Sequence, residues 1–250
     1  MTILKTPEEI EIMREGGHRL KVVMDGVLAK VKPGISTAEL DQIAEKLVES
    51  QDGFPSFKKV KGYKWTSCIN LNEGVVHGIP GKEIVKTGDL VSVDLGILYK
   101  GFNTDMARTV IAGDFFDTEK ERFLAAGRKA LKRAIKKARP GKRIGDLSET
   151  IETVLGEEGF KPVRELTGHG IGKKLHEDPQ IPGIARGRLE KTEVLCPGMV
   201  LAIEVIYAQG SPSLVMKADG WTIETRDRKL AGLFEDTVAI THEGPVILTA

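Results

Sequence analysis

The chain has 250 residues, 40% of them hydrophobic, which is enough to bury a sizeable core in one domain. Its 37 basic and 36 acidic residues nearly cancel, which argues against DNA or an anionic membrane as the main partner. The charged N-terminus lacks the apolar stretch of a signal peptide and the two cysteines form no disulfide framework, so we expect a cytoplasmic protein. We also expect it to be a monomer.

The predicted helices near the N-terminus are repeated later in the chain. "VKPGISTAELDQIAEKLVE" at 31–49 aligns with "ARPGKRIGDLSETIETVLG" at 138–156, and each contains a Pro-Gly break followed by an amphipathic helix. Further on, 87–96 aligns with 197–206, which matches Asp94 with Glu204, and 76–80 aligns with 168–172, which matches His77 with His169. These matches, all in the same order, indicate a duplication.

The duplication predicts a single α+β domain with halves at about 1–125 and 126–250. The two halves should pack about a pseudo-twofold axis. Equivalent residues near that axis would then converge on one site between the halves.

The segment "LVSVDLGILYKGFNTDMARTV" at 90–110 predicts a β-hairpin, because period-two alternation flanks a turn signal at Tyr99-Lys100-Gly101. With Tyr99 and Lys100 at the tip, Asp94 pairs with Asp105, and their Cβ atoms lie ~5 Å apart on one face. Two buried carboxylates repel each other unless one is protonated or both share a divalent cation. The pair alone leaves two interpretations open, a metal site or a hydrated strand end at the surface.

A basic segment at 128–143 contains nine Lys or Arg residues. Its apolar residues fall on one helical face: Leu131, Ala134, Ile135 and Ala138. A solvated helix face is the simplest interpretation.

Two histidines, His169 and His176, lie in the stretch "ELTGHGIGKKLHEDPQIPG", which is too rich in glycine for a helix. An exposed loop is the simplest interpretation for both. A functional role requires carboxylate partners elsewhere in the chain, and the second half supplies them at Glu204 and Glu235, each beside an apolar strand-like segment. Strand alternation sends Asp236, the neighbour of Glu235, to the opposite face.

The candidate ligand set therefore has four carboxylates and one imidazole: Asp94, Asp105, His169, Glu204 and Glu235. So much charge is costly to bury without cations. Two divalent ions ~3.5–4 Å apart and bridged by carboxylates suit such a set. Mainly oxygen ligands with one nitrogen favour Mn, Fe(II), Co or Zn.

These residues stand in motifs that resemble those of methionine aminopeptidase type I. The motifs are "VHGIP", "SVDLG…NTDMART", "GHGIGKKLHEDPQIP", "GMVLAIE" and "FEDTVAIT", in the order and spacing of that family. The resemblance covers essentially the whole chain. It implies the pita-bread fold, which prolidases and creatinase share, and cotranslational removal of N-terminal methionine before a small second residue. Because a member of this family meets nascent chains as they emerge, the resemblance offers an alternative for the basic helix face at 128–143, transient docking on ribosomal RNA, which would weaken steeply with salt.

The resemblance also implies a role for each site residue. The candidate set above would bind two metal ions, and Glu204 would also accept a proton from the attacking water. His77 and His176 would contact substrate, with His176 at the developing oxyanion and His77 on the leaving-group side. The methionine side chain would lie against Tyr63, Cys68 and Trp221, close to Leu175.

Three positions depart from the family pattern: Leu175, Val205 and Asp236, where an aromatic residue, proline and histidine are usual. They bear on specificity and rate, since all five ligands remain. The nearest enzymatic rival is Xaa-Pro dipeptidase, whose members carry an additional N-terminal domain that we do not expect here. A peptide-binding pseudoenzyme is the rival from another class, although such relatives have lost ligands.

Overall fold

The computed structural model describes residues 2–250, and within them four α-helices occur as two pairs. The helices are α1 (Pro7–Leu28), α2 (Thr37–Ser50), α3 (Thr118–Lys137) and α4 (Ile144–Glu157). Capping boxes start the first pair, with Thr6 and Glu9 at α1 and Ser36 and Glu39 at α2. The link within each pair turns at a glycine with positive φ, Gly34 in the first and Gly141 in the second.

The strands form one large antiparallel sheet and one small one. In chain order they are β1 (Phe54–Pro55), β2 (Ser67–Leu71), β3 (Gly74–Val76), β4 (Leu90–Tyr99), β5 (Phe102–Ile111), β6 (Lys161–Pro162), β7 (Thr167–Gly170), β8 (Glu177–Pro182), β9 (Val200–Ala208), β10 (Leu214–Met216), β11 (Ile223–Thr225), β12 (Ala231–Thr241) and β13 (Gly244–Ile247). The large sheet runs β1-β4-β5-β12-β9-β7-β8, with β2 on β4, β6 on β9 and β13 on β12. Strands β10, β11 and β3 form the small sheet.

The four helices cover one face of the large sheet and leave the other face for the site. Helices α1 and α2 pack with Val93, Leu95 and other apolar residues of the first half in one core cluster. Helices α3 and α4 pack with Ile203 and Val205 in another. Because strand side chains alternate, Asp94 and Glu204, which lie between these buried neighbours in sequence, point to the opposite face.

Strand register supports the duplication and the match of Asp94 with Glu204. Strand β1 pairs with β4 at the third and fourth residues after Asp94, and β6 pairs with β9 at the third and fourth residues after Glu204. Both short strands lie next to a helix of their own half. The central strands of the two halves therefore occupy equivalent positions in the sheet.

The same register shows that matching His77 with His169 is wrong. On β2, Asn70 lies opposite Ser92, two residues before Asp94. On β7, His169 lies opposite Ala202, two residues before Glu204. Asn70 is therefore the counterpart of His169, whereas His77 follows the end of β3.

The β4–β5 hairpin forms as predicted, but its register differs from the prediction. Lys100 and Gly101 form the tip, with φ of 45° and 86°, and Tyr99 pairs with Phe102. Positive φ at both central residues is the geometry of a two-residue type I′ turn. Asp94 consequently lies opposite Ala107, and Asp105 lies opposite Gly96. The observed cross-strand partner of each aspartate differs from the predicted one by two residues. Since side chains alternate with a period of two, both aspartates still lie on the same face of the sheet.

Candidate functional site

The five candidate ligands lie in two adjacent rows on the open face of the large sheet. In the first row, Asp94 lies opposite Ala107, Ala107 opposite Glu235, and Glu235 opposite Glu204. In the second row, Asp105 exchanges hydrogen bonds with Thr237 across β5 and β12. The second row then continues through Ala202 to His169. Five strands, β4, β5, β12, β9 and β7, thus bring the set together, and we call these five residues the ligand cluster.

Donor atoms of the ligand cluster approach one another closely in a buried setting. One ligand atom each from Asp105, His169 and Glu235 lies within 4.8 Å of the others. Asp105 and Glu235 are 3% and 1% exposed, and Asp94 is nearly as buried. Each of these three carboxylates has one buried oxygen without a hydrogen-bond partner. Such orphaned oxygens are costly, and a divalent cation would satisfy them, so the residues present fit a metal site.

The electrostatics of the protein without a metal ion lead to the same conclusion. Burial raises the pKa of Asp94 to about 7. Burial and the neighbouring charges of Asp94 and Glu204 raise the pKa of Asp105 well above its usual range. Burial also raises the pKa of Glu204 and of Glu235. The cluster therefore holds protons that a bound cation would displace.

His169 presents its Nε2 atom to the cluster. Its Nδ1 atom donates a hydrogen bond to the Gly170 carbonyl over 2.8 Å, which fixes the tautomer. Nε2 lies 3.9 Å from Glu235 Oε1. Burial lowers the pKa of His169 to about 4, so the ring is neutral and the Nε2 lone pair is available to a metal ion.

The cluster forms the floor of a cavity of about 690 Å³ that all of the predicted site residues line. One side of this cavity is apolar and is closed by edge-to-face aromatic contacts. Tyr63 packs against Trp221 at a centroid distance of 5.1 Å and against Phe57 at 6.4 Å. We call this wall the side-chain pocket, and its residues are Phe57, Val60, Tyr63, Cys68, Leu175 and Trp221.

Two residues of the side-chain pocket were missed by the sequence analysis, Phe57 and Val60. They lie in and just after a 3-10 turn, Ser56–Lys59, that follows β1. No chemical motif marks this turn in the sequence. The one signal in the sequence is its position directly after "GFP" at 53–55, which resembles "GFKP" at 159–162 in the second half, and Phe54 and Pro55 of this stretch pair with β4.

The two other predicted site histidines, His77 and His176, lie at the mouth of the cavity. The His176 ring meets the His169 ring edge-to-face at a centroid distance of 4.5 Å. His77 lines the cavity and has a φ of 56°, which is uncommon for a residue with a side chain. Burial lowers the pKa of both His77 and His176, and His176 lowers that of His77 further.

Asp236 and Val205, two of the departures from the family pattern, lie away from the cavity. Asp236 Oδ1 accepts hydrogen bonds from Arg108 over 2.6 Å and from Thr249 over 2.9 Å. Val205 is buried with the helices of the second half. The face predicted for Asp236 is therefore correct, and only Leu175 among the three departures lines the cavity.

The chain matches the model of metallopeptidase family M24 over residues 11–242. The chain belongs to the methionine aminopeptidases of this family. Methionine aminopeptidase 1 of Bacillus subtilis is 43% identical over 249 residues, which cover 100% of this chain and 99% of the relative. The methionine aminopeptidase of Escherichia coli K12 is 36% identical over 248 residues, with coverage of 98% and 93%. The enzyme class predicted from the sequence, a metal-dependent aminopeptidase, is confirmed.

Solved structures confirm the pita-bread fold. The crystal structure of methionine aminopeptidase from Thermotoga maritima superposes with a TM-score of 0.96 at 39% identity, covering 100% of this chain and 99% of the other. Prolidase from Pyrococcus furiosus superposes with a TM-score of 0.79 at 26% identity. This methionine aminopeptidase chain spans 66% of the prolidase chain.

None of the helices in residues 2–250 combines the length and the apolar character needed to cross a bilayer.

Proposed function

We propose that the protein removes the N-terminal methionine of nascent polypeptides by hydrolysis, using two divalent ions and favouring a small second residue. The observation that carries this proposal is the meeting of three features in one cavity. A buried ligand cluster forms the floor, an apolar pocket forms one wall, and two histidines stand at the mouth. An exopeptidase that cleaves after methionine needs each of these features.

All five residues of the ligand cluster would hold the ions. The identity of the metal is Co, Mn, Fe(II) or Zn, because the donors are four carboxylates and one imidazole. Bound ions supply Lewis-acid chemistry, which activates water and polarises the scissile carbonyl. The orphaned oxygens of Asp94, Asp105 and Glu235 support this assignment.

The protein's own residues move the proton and stabilise charge. Glu204 lies partly open to the cavity between apolar neighbours, where its raised pKa suits it to accept a proton from water and pass it to the leaving amine. His176 would donate a hydrogen bond to the oxyanion. His77, across the mouth, would contact the substrate on the leaving-group side.

The side-chain pocket would hold the methionine side chain. Its aromatic rings, Tyr63 and Trp221, can contact the thioether, and such a contact is worth ~0.3–1.5 kcal/mol. Leu175 is 9% exposed and packs in the same cluster. A single catalytic domain is sufficient for this function, since both halves contribute ligands to one cavity.

We further propose a cytoplasmic monomer that meets chains as they leave the ribosome. The exposed face of α3 supports a transient contact with ribosomal RNA. Its Lys132, Lys136 and Lys137 have exposed side chains, whereas Lys129 and Arg133 are engaged by Glu158 and Glu157.

One hydrolysis assay tests the proposed activity against its rivals. Purified protein is supplied with Mn, Co or Fe(II) and given Met-Ala-Ser, Met-Lys-Ser and a Met-Pro dipeptide. Release of methionine from Met-Ala-Ser, with kcat/KM at least tenfold lower on Met-Lys-Ser, is expected if a small second residue is required. Preferential cleavage of the dipeptide would favour an Xaa-Pro dipeptidase, and binding without cleavage would favour a pseudoenzyme.

A further inference from the structure

Residues 2–6 form an irregular segment beside the cavity, which we call the N-terminal strap. The strap ends at Thr6, the N-cap of α1. Ile3 lines the cavity, and the Lys5 backbone N–H donates to the Gly198 carbonyl over 2.7 Å. The strap is therefore fastened next to β9, the strand that carries Glu204.

Lys5 buries its ammonium group against Glu177. Its Nζ lies 2.7 Å from Glu177 Oε2 and 2.9 Å from the Ile3 carbonyl oxygen. Both side chains are 3% exposed, which no other Lys or Arg ion pair in residues 2–250 matches. A fully buried ion pair adds little net stability to a fold. Its presence therefore suggests that it positions a neighbouring segment of the chain.

Glu177 fastens the turn that carries His176. Its Oε1 atom accepts a hydrogen bond from the Lys174 backbone N–H over 3.0 Å. A Cβ atom at Gly172 would lie 2.5 Å from Lys5 Cε, so the Lys5 stem packs directly on this turn. At the other end, Asn103 Nδ2 donates to the Gly172 carbonyl over 2.9 Å. The 172–177 turn is thus tied at both ends, with Leu175 and His176 between the ties.

We propose that Lys5, acting through Glu177, is a positioning residue for His176. The ion pair holds the backbone at Glu177, and His176 precedes it directly, so its ring is set against the reacting carbonyl. The role of His176 in this statement rests on the proposed function. Without the Lys5 ammonium, the Glu177 carboxylate would be buried without a cation and would draw the turn toward water.

Kinetics of Lys5 variants test the proposal. Lys5→Met keeps the apolar stem and removes the charge, Lys5→Arg restores a cation, and Lys21→Met removes an exposed ion pair with Asp25 as a matched control. Misplacing a group that acts in the transition state lowers kcat, so we expect Lys5→Met to lose about tenfold in kcat with KM within about threefold. Lys5→Arg should recover most of the loss, and Lys21→Met should match the wild type.

A double-mutant cycle separates positioning from general damage. In a His176→Gln background, Lys5→Met should change kcat by less than about twofold, because the group that it positions is gone. An equal loss in both backgrounds would overturn the proposal. If Lys5→Met folds poorly, Lys5→Met/Glu177→Met replaces the pair with apolar side chains and should still lose kcat.

NMR of the metal-free protein gives a readout that does not depend on activity. The His176 ring signals, assigned through His176→Gln, should shift or broaden in Lys5→Met and return in Lys5→Arg. Unchanged His176 signals in Lys5→Met would contradict the proposal. A wild-type protein that fails to cleave Met-Ala-Ser would instead refute the proposed function, and the NMR comparison would remain decisive for Lys5.

Discussion

The ligand cluster and the side-chain pocket meet in one cavity, but they are built differently. Four of the five ligands stand on the long central strands β4, β5, β9 and β12, each of which is paired on both sides. The pocket is assembled mainly from loops, namely a 3-10 turn and the segment after it, the 172–177 turn and the loop that contains Trp221, and only Cys68 stands on a strand, β2. A substitution in the ligand cluster removes one chemical group from a rigid arrangement, whereas a substitution in the side-chain pocket changes the shape of the space that holds the substrate side chain.

The largest expected effect comes from Glu204→Gln in the cluster. The change removes the proton acceptor and weakens a metal ligand, while amide and carboxylate have nearly the same volume. We expect kcat to fall by about 10²–10⁴-fold, the usual contribution of a positioned acid–base group. Circular dichroism should show a folded protein, and Glu243→Gln, in an exposed turn, serves as the control. Near-wild-type turnover would remove Glu204 from the mechanism.

The second prediction concerns the stability of the metal-free protein above pH 6.5. The cluster carboxyls have a pKa raised by burial, to about 7 for Asp94, so the folded protein retains protons that the unfolded chain has already lost. Stability should therefore fall as pH rises from 6.5 to 8.5, by about 1.4 kcal/mol per pH unit for each retained proton. Below pH 6.5, histidines with lowered pKa, such as His169, have the opposite effect.

Urea unfolding at pH 6.5, 7.5 and 8.5 measures this slope. Saturating Mn or Zn should abolish it, because the cation takes the place of the protons. Asp105→Asn, which removes one raised carboxyl, should flatten the slope without metal. A midpoint that rises with pH in the chelated protein would contradict the assigned burial of charge.

A smaller effect is expected in the side-chain pocket, at Leu175. Leucine leaves more space than an aromatic ring beside the first side chain of the substrate, so norleucine and leucine should be cleaved measurably. Leu175→Phe should raise the ratio of kcat/KM for Met-Ala-Ser over Leu-Ala-Ser, by an amount within the ~1–3 kcal/mol that one methylene is worth. Phe57→Leu, which removes an aromatic ring from the same pocket, should lower this ratio. An unchanged ratio in Leu175→Phe would show that Leu175 does not shape the pocket.

The smallest effect on peptide hydrolysis is expected on the surface of α3. Lys132→Glu plus Lys136→Glu should leave kcat/KM on Met-Ala-Ser unchanged, since both side chains are exposed away from the cavity. The same change should reduce co-sedimentation with ribosomes at low salt, where electrostatic contacts are strongest. Co-sedimentation that is absent at low salt, or insensitive to the two changes, would leave the solvated-face interpretation.

The central strands were predictable from the sequence because two independent patterns agree there. Alternation assigned a face to Asp94, Glu204 and Asp236, and the repeat matched β4 with β9. Register was harder to predict, since it depends on which two residues form the tip. The positive φ of Lys100 next to Gly101 decides this, and lysine gives little sign of it.

Long-range pairs left no signal in the sequence. Lys5 and Glu177 are 172 residues apart, and nothing local to either predicts that they meet. The match of His77 with His169 was wrong because it relied on the similar residues around the two histidines, whereas strand register makes Asn70 the counterpart of His169. Phe57 was missed for a related reason, because a pocket wall joins segments that are distant in the chain.

Thr249 helps to hold the strand that joins the two halves of the site. The Thr249 hydroxyl accepts a hydrogen bond from the Thr237 backbone N–H and donates one to Asp236, so Thr249 is hydrogen-bonded to the strand that carries Glu235. Strand β12 also lies between β5 and β9, and without it the halves share no central pairing. A chain cut before Ala231 would lack both Glu235 and the strand that joins the two halves, so we expect such a fragment to leave the cavity without its floor.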